Sequence, residues 1–146
     1  GYGTNKAIFG FGSGAASMTN LVSSSGVVAT DTTGVGTGRS GLAAAGYGAD
    51  KAIFGYGHNG SSVVSLTNLV SNSGVVATDV TGVGTARTNL EATTYGGDKA
   101  IFAYGITGSN VSMSNLVNNS GVVASDVTGV GTARRTLAAA GYSISA

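Results

Sequence analysis

The chain repeats itself three times, and this repetition limits what it can fold into more than any other feature. Three acidic and three basic residues recur at spacings of 48 and then 47 residues: Asp31, Asp79 and Asp126, and Arg39, Arg87 and Arg134. Residues 67–87 and 114–134 differ at only three of 21 positions. Such repeats indicate one supersecondary unit stacked on the next. We therefore expect a single repeat domain over residues 1–146, with units at about 1–45, 46–93 and 94–140.

Each unit contains four strand-like segments separated by turn residues, which is the pattern of short β-strands. In the second unit these segments are 51–57, 63–71, 74–84 and 86–96. No 3.6-residue apolar period runs through them, so helices are not expected. Alternation along the first segment predicts that Ala52, Phe54 and Tyr56 share one face. We expect these aromatic faces to pack on rows of small residues in a neighbouring sheet, such as LAAAG at 42–46.

The repeat length and strand number predict an all-β fold made of β-propeller blades, three four-stranded blades per chain. A β-trefoil, also built from three units of comparable length, is the alternative. Propellers usually have about 4–8 blades, so three do not close a ring. We expect two chains to close a six-bladed propeller as a homodimer, in which the C-terminal strand 134–146 of each chain completes the first blade of its partner by strand exchange.

The charge content excludes several classes of partner. The chain has seven basic and six acidic residues, a net charge of +1 and no basic cluster. A nucleic-acid or acidic-membrane surface needs a basic patch, so neither partner is expected. No apolar run reaches the roughly 18 residues of a membrane span. Cysteine is absent, which rules out disulfide bonds and thiolate metal sites within this sequence.

The run RSGLAAAGYGADKAIFGYG at 39–57 resembles the kelch repeat of β-propellers: an Arg, an inner strand of small residues, a turn, and an aliphatic–aromatic strand ending in glycines. The usual kelch Trp and paired glycines are missing. The sequence TNLVSNSGVVATDVTGVGTAR at 67–87 is also similar to tandem repeats of tailed-phage structural proteins and marine metagenomic sequences. This resemblance implies a virion or extracellular location, with other virion proteins or glycans as partners.

The repeated charges are the first candidate functional residues. Asp31 with Arg39, Asp79 with Arg87 and Asp126 with Arg134 are each eight residues apart. They could form one small-ligand site per unit, for example for a sugar. Because charges repeated in every unit serve the unit itself, we favour a structural interpretation, in which each Asp–Arg pair braces the turn into the next unit.

The second candidate is a rim of loops whose length and sequence vary while their surroundings are copied. Its polar residues are His58, Asn59, Ser61, Thr107 and Asn110. Variable loops on a rigid scaffold are where binding specificity usually lies. No nucleophile–base pair, carboxylate pair, cofactor motif or metal constellation can be assembled from the sequence. We therefore expect a non-enzymatic module with a structural or binding role, and a multivalent carbohydrate-binding lectin as the alternative.

Overall fold

The computed structural model describes residues 1–142, and all regular secondary structure in this range is β-strand. The strands are β1 (Ala7–Gly12), β2 (Ala16–Val22), β3 (Ala43–Tyr47), β4 (Lys51–Gly55), β5 (Thr67–Val70), β6 (Glu91–Tyr95), β7 (Lys99–Ala103) and β8 (Ser114–Val117). They form three antiparallel sheets: sheet 1 is β1–β2, sheet 2 is β3–β4–β5 and sheet 3 is β6–β7–β8. The all-β prediction is confirmed. Residues 143–146 of the expected C-terminal strand lie outside the described residues.

The third predicted segment of each unit lies along the outer edge of its sheet and is held by single bridges. Val28 and Thr32 bridge to β2, Val76 and Val80 to β5, and Val123 and Val127 to β8. Among residues 1–142 the strands of one sheet do not pair with those of another. A trefoil would join strands of its units in one barrel, and the described residues form no such barrel.

The turn between β3 and β4 is a three-residue loop, 48–50, between the paired residues Tyr47 and Lys51. Its first two residues, Gly48 and Ala49, have left-handed φ of 57° and 66°. Thr4 and Gly97 occupy the position of Ala49 in the other two units, with φ of 64° and 80°. The GYG motif is therefore the start of this hairpin turn.

A backbone irregularity after β4 changes the direction of an aromatic ring. Tyr56 has a φ of 65°, and Phe11 and Tyr104 at the equivalent positions have 65° and 63°. Tyr56 packs against Phe102 with the ring centroids 5.2 Å apart, whereas Phe54 belongs to a different buried cluster with Ala52. The prediction that Ala52, Phe54 and Tyr56 share a face is wrong for Tyr56, because the left-handed residue interrupts the pleat.

The core consists of two layers, one on each face of sheet 2. Ala52, Phe54 and Val70 pack toward Ile8 and Phe11 of sheet 1. The opposite layer joins sheet 2 to sheet 3 and contains Ala43, Ala45, Tyr47, Ile53, Tyr56, Leu90, Ala92, Ala100, Phe102 and Val117. Sheet 2 is thus the middle of a stack.

The small residues that lie closest to the aromatic rings are glycines. A Cβ added at Gly10 would lie 3.1 Å from Phe54 Cζ, and one at Gly55 would lie 2.7 Å from Phe102 Cζ. These glycines belong to β1 and β4, the strands that carry the rings of their own units. Ala43 and Ala45 of LAAAG lie in the same buried cluster as Tyr56 and Phe102, and Ala43 pairs with Gly55.

Candidate functional site

Sheets 1 and 2 are joined by the segment 34–39, which we call the first junction segment. Its residue Thr37 donates from the backbone N–H and from Oγ1 to the Asp79 carboxylate, and the Oγ1–Oδ2 distance is 2.6 Å. Arg39 Nη1 lies 3.4 Å from Asp79 Oδ1, and Arg39 Nη2 donates to the side-chain oxygen of Asn68. The junction therefore links one sheet to the next through charge-assisted hydrogen bonds, which are stronger than neutral ones.

The second junction segment, 82–87, makes the same contact between sheets 2 and 3. Thr85 donates from its N–H and from Oγ1 to Asp126, again with an Oγ1–Oδ2 distance of 2.6 Å. Arg87 differs from Arg39, since its Nε donates to the Tyr104 carbonyl at 2.9 Å. The Thr–Asp contact is thus the constant part of the junction.

Each junction arginine also stacks on an aromatic ring of its own unit. The guanidinium carbons of Arg39, Arg87 and Arg134 lie 4.7, 4.3 and 4.0 Å from the ring centroids of Phe11, Tyr56 and Tyr104. Arg39 and Arg87 are fully buried. A guanidinium over an aromatic face is attracted by the ring quadrupole. This explains why the bulged aromatic residue is turned toward the junction.

Burial and hydrogen bonding change the pKa values of these groups. Burial alone would raise the pKa of Asp79, but the hydrogen bonds from Thr37 and Asn68 outweigh it and leave that pKa below its usual value. The pKa of Asp126 is lowered in the same way, through Thr85 and Asn115. Both carboxylates are therefore held in the charged form that the junction needs.

The buried partners of these carboxylates also titrate abnormally. Burial lowers the pKa of Arg87, although neighbouring Tyr56 and Asp126 oppose the change. Burial likewise raises the pKa of Tyr56 to about 12. The Tyr56 hydroxyl donates to the Val83 carbonyl at 3.1 Å, which keeps this phenol neutral and tied to the second junction segment.

A glycine lets each junction segment approach its carboxylate closely. A Cβ on Gly36 would lie 2.3 Å from Asp79 Oδ1, and one on Gly84 would lie 2.4 Å from Asp126 Oδ1. No side chain fits in this space. These two glycines also have left-handed φ of 77° and 75°, a conformation that L-residues rarely adopt.

The structure corrects the interpretation of the repeated charges. Arg39 contacts Asp79 of the next unit, 40 residues further on, and not Asp31 eight residues earlier. The Asp31 carboxylate accepts a 2.8 Å hydrogen bond from Asn20. Within the described residues Arg134 is exposed and has no carboxylate partner. Asp79 and Asp126 thus bind the preceding unit, and no Asp–Arg pair eight residues apart is in contact among the described residues.

The hydrogen-bond partners of the repeated Asp residues also recur in the sequence. Three Asn residues of a repeated NLV motif and two Thr residues of the repeated GVGT motif supply the remaining hydrogen bonds: Asn20, Asn68 and Asn115, and Thr37 and Thr85. Asn68 and Asn115 are fully buried. A buried amide needs hydrogen-bond partners. An Asn that recurs within an apolar strand pattern therefore indicates such a network in the sequence.

The candidate rim is divided between two loops, each held by hydrogen bonds or a bridge within itself. The Gly60 N–H donates to His58 Nδ1 at 3.0 Å. Asn59 Oδ1 accepts from the Ser61 N–H, also at 3.0 Å. In the other loop the Thr107 N–H donates to the Ser109 carbonyl, and Asn110 bridges to Ile106. No hydrogen bond among the described residues joins these two loops.

Two equivalent shallow cavities lie between the outer segments of neighbouring sheets. The cavity between sheets 1 and 2 has a volume of about 220 Å³, and that between sheets 2 and 3 about 190 Å³. Both are lined mainly by Val, Leu and Thr and contain no charged side chain. Sugar-binding sites depend on precisely placed polar groups, so these cavities do not favour a repeated glycan site.

The described part of the chain contains no arrangement of side chains typical of a catalytic or metal site. No group of three or more His, Asp or Glu side chains among residues 1–142 is placed to hold a metal ion. No helix in that range could cross a membrane. No protein-family model matches the chain, and no curated protein matches it significantly. The junctions are therefore the best-defined site from which to argue function.

Proposed function

We propose that this chain is a non-enzymatic β-propeller module with a structural or binding role, in which each sheet is one blade. The observation that carries this proposal is the junction formed twice with the same contact, Thr37 to Asp79 and Thr85 to Asp126. Polar residues repeated in every unit are used to hold the units together. A module whose repeated polar groups serve its own assembly acts as a scaffold.

The stacking of the sheets supports the propeller interpretation. Strand β3 packs against β6, and β4 lies beyond β3 in the same sheet. An equivalent backbone hydrogen bond, from Gly3 N to the Asp50 carbonyl and from Gly48 N to the Asp98 carbonyl, joins the hairpin turns of successive units. A constant step between successive sheets is the arrangement that radial repetition of blades requires.

We further propose that two chains complete a six-bladed ring as a strand-exchanged homodimer. Strand β1 pairs with β2 only, whereas β4 and β7 each have partners on both edges. Residues 137–142 repeat the sequence LAAAGY of residues 42–47, which include the inner strand β3. They lie beside β6 and form no strand pair there. This segment would complete the first sheet of a partner.

The dimer is tested by sedimentation equilibrium or light scattering over a wide concentration range. A particle of twice the chain mass of 14.1 kDa is expected. A folded species of single-chain mass at every concentration would contradict the two-chain ring, although the stacked module itself would stand.

The lectin alternative predicts binding on a glycan array. His58 Nδ1 and Asn59 Oδ1 of the rim accept hydrogen bonds within their own loop, and the repeated charges Asp79 and Arg39 are engaged in a junction. We therefore expect no glycan binding. Saturable binding of a sugar, lost on substitution of Asn59 or Asn110, would favour the lectin over the scaffold.

A further inference from the structure

The third junction segment, residues 129–134, has the same sequence as the second, GVGTAR. It also has the same shape. Gly131 and Gly84 both have a φ of 75°. The Arg134 carbonyl accepts from the Gly105 N–H at 3.0 Å, as the Arg87 carbonyl accepts from Gly57 at 2.9 Å. The segment is thus held by its own unit in the docking conformation.

Nothing among residues 1–142 fills the space that this conformation prepares. The atom nearest to a Cβ on Gly131 would be Tyr104 Oη at 3.8 Å, whereas a Cβ on Gly84 would lie 2.4 Å from the Asp126 carboxylate. Within the described residues the N–H and hydroxyl of Thr132 have no hydrogen-bond partner. The third segment therefore presents the hydrogen-bond donors and the guanidinium that surround a carboxylate in the other two junctions, with no carboxylate among the described residues against them.

The matching acceptor lies at the other end of the stack, in sheet 1. Asn20 Nδ2 donates to Asp31 Oδ1 at 2.8 Å and to the Ala29 carbonyl at 3.2 Å. Asn68 holds Asp79 in the same way, at 2.9 Å from Asp79 Oδ1. The Asp31 carboxylate is therefore positioned like the carboxylate that receives Thr37, but it has no Thr donor within the described residues.

The apolar surface beside Asp31 is uncovered as well. Phe9 is 63% exposed, whereas Phe54 and Phe102 at the equivalent positions are 4% and 0% exposed. The preceding sheet covers those two rings. An exposed ring next to an unmatched carboxylate is the surface that a preceding sheet would cover.

We propose that the third junction segment of one chain binds Asp31 of a second copy of this chain, with Thr132 and Arg134 in the roles of Thr37 and Arg39. This proposal rests on the proposed function, because it names the contact that closes the ring. The positive Arg134 and the negative Asp31 are complementary, and both halves are already in the bound shape. Preorganised partners lose little conformational entropy on association.

The contact is head-to-tail, so a ring of two chains contains two of them. Heterologous contacts give rings when the rotation closes and open filaments when it does not. In the copied junction Phe9 would meet Ala103 where Phe54 meets Gly10. A Cβ at the equivalent Gly55 would lie 2.7 Å from Phe102 Cζ, so the Phe9 ring must shift away from the Ala103 methyl group for the Asp31 contact to form.

The test uses two variants with matched controls. Gly131→Ala places a methyl group in the carboxylate site, and Asp31→Ala removes the acceptor. We expect each variant to raise the dissociation constant of the dimer by at least about tenfold per junction, the effect of losing one charged hydrogen-bonded contact. The controls Gly108→Ala, at an exposed glycine with open space around it, and Asp98→Ala, at another carboxylate, leave the dissociation constant unchanged.

Mixing the two variants identifies the head-to-tail arrangement. The third segment of the Asp31→Ala chain is intact, and so is Asp31 of the Gly131→Ala chain, so one complete junction forms between them. Native mass spectrometry of the mixture should show a heterodimer at concentrations where each variant alone is a monomer. A contact between identical patches on the two chains would not be restored by mixing.

The outcomes separate this inference from the proposed function. A wild-type chain that stays monomeric overturns both the dimer and this contact. A wild-type dimer that persists unchanged in both variants overturns the contact and leaves the dimer intact. A larger wild-type oligomer that both variants dissociate supports the contact and overturns the six-bladed count. The far-ultraviolet circular dichroism of each variant, compared with wild type, shows that it has folded.

Discussion

The Thr37 hydroxyl donates a 2.6 Å hydrogen bond to the Asp79 carboxylate across the boundary between two sheets. The two residues are 42 positions apart in sequence, and the bond stands beside a fully buried arginine. The boundary between sheets is thus held by polar contacts placed against an aromatic ring, and its strength depends on a few side chains that can be changed one at a time.

Asp79→Ala should destabilise the chain strongly. The substitution leaves the buried Arg39 guanidinium and the Thr37 donors without their acceptor, which costs about 2–4 kcal/mol in the free energy of unfolding. Urea denaturation measures the change. Asp50→Ala is the control, because its pair with Lys51 lies at the surface, where solvent screens it and its contribution to stability is small. Equal losses for the two variants would contradict the special role of the junction.

Stability should fall in acid as the junction carboxylates take up protons. Both Asp79 and Asp126 have folded-state pKa values below the ordinary one, which is about 3.9. Their contribution is therefore complete above that value and is lost as the pH falls through the lowered pKa. Melting temperatures measured from pH 7 to pH 2 should drop below about pH 4, and the drop should be smaller in Asp79→Asn. If the fall in melting temperature is unchanged in Asp79→Asn, groups other than Asp79 cause it.

Tyr56→Phe should cost about 1 kcal/mol at neutral pH, the value of one hydrogen bond. The loss is this small because Phe11 fills the equivalent position in sheet 1. Because the folded-state pKa of Tyr56 is about 12, above its ordinary value of about 10, the wild type should lose stability as the pH rises through that interval. Urea midpoints at pH 9 and pH 11.5 test this, and the variant should show a smaller alkaline loss.

Gly84→Ala should be more destabilising than Gly131→Ala. Both residues have the same φ of 75°, so the backbone strain of adding a Cβ, about 1–2 kcal/mol, is common to the two. Only Gly84 has a carboxylate against it, which adds about 1–3 kcal/mol of overpacking. Urea unfolding at protein concentrations too low for association gives the comparison. Equal costs would show that the close approach to Asp126 is unimportant.

Ala49→Gly should stabilise the chain by about 1 kcal/mol, since it removes a Cβ from a left-handed position. The third unit already has Gly97 there. Ala44→Gly, at an exposed position in the middle of β3, should have the opposite effect and cost about 0.5–1 kcal/mol. Thermal unfolding of the two variants measures both changes in stability. A destabilised Ala49→Gly variant would contradict the left-handed turn geometry.

The period of the repeat was enough to predict an all-β chain of stacked units. The direction of Tyr56 was not predictable, because alternation assumes an unbroken pleat and the left-handed backbone of Tyr56 interrupts it. The partner of Arg39 was also missed. Spacing along the chain pointed to Asp31, whereas the residue that Arg39 contacts lies one whole unit away, and only the stacking of sheets brings the two together.

The position of sheet 2 between two neighbours also affects how the chain opens. Amides in β4 are shielded on both faces, so their hydrogen exchange should require unfolding of the whole stack, whereas those of β1 can exchange through local opening of one end. In units that contact only their neighbours, stability is a sum over units and boundaries. Closing the stack with a second chain would remove its ends, and the difference in exchange between β1 and β4 would disappear.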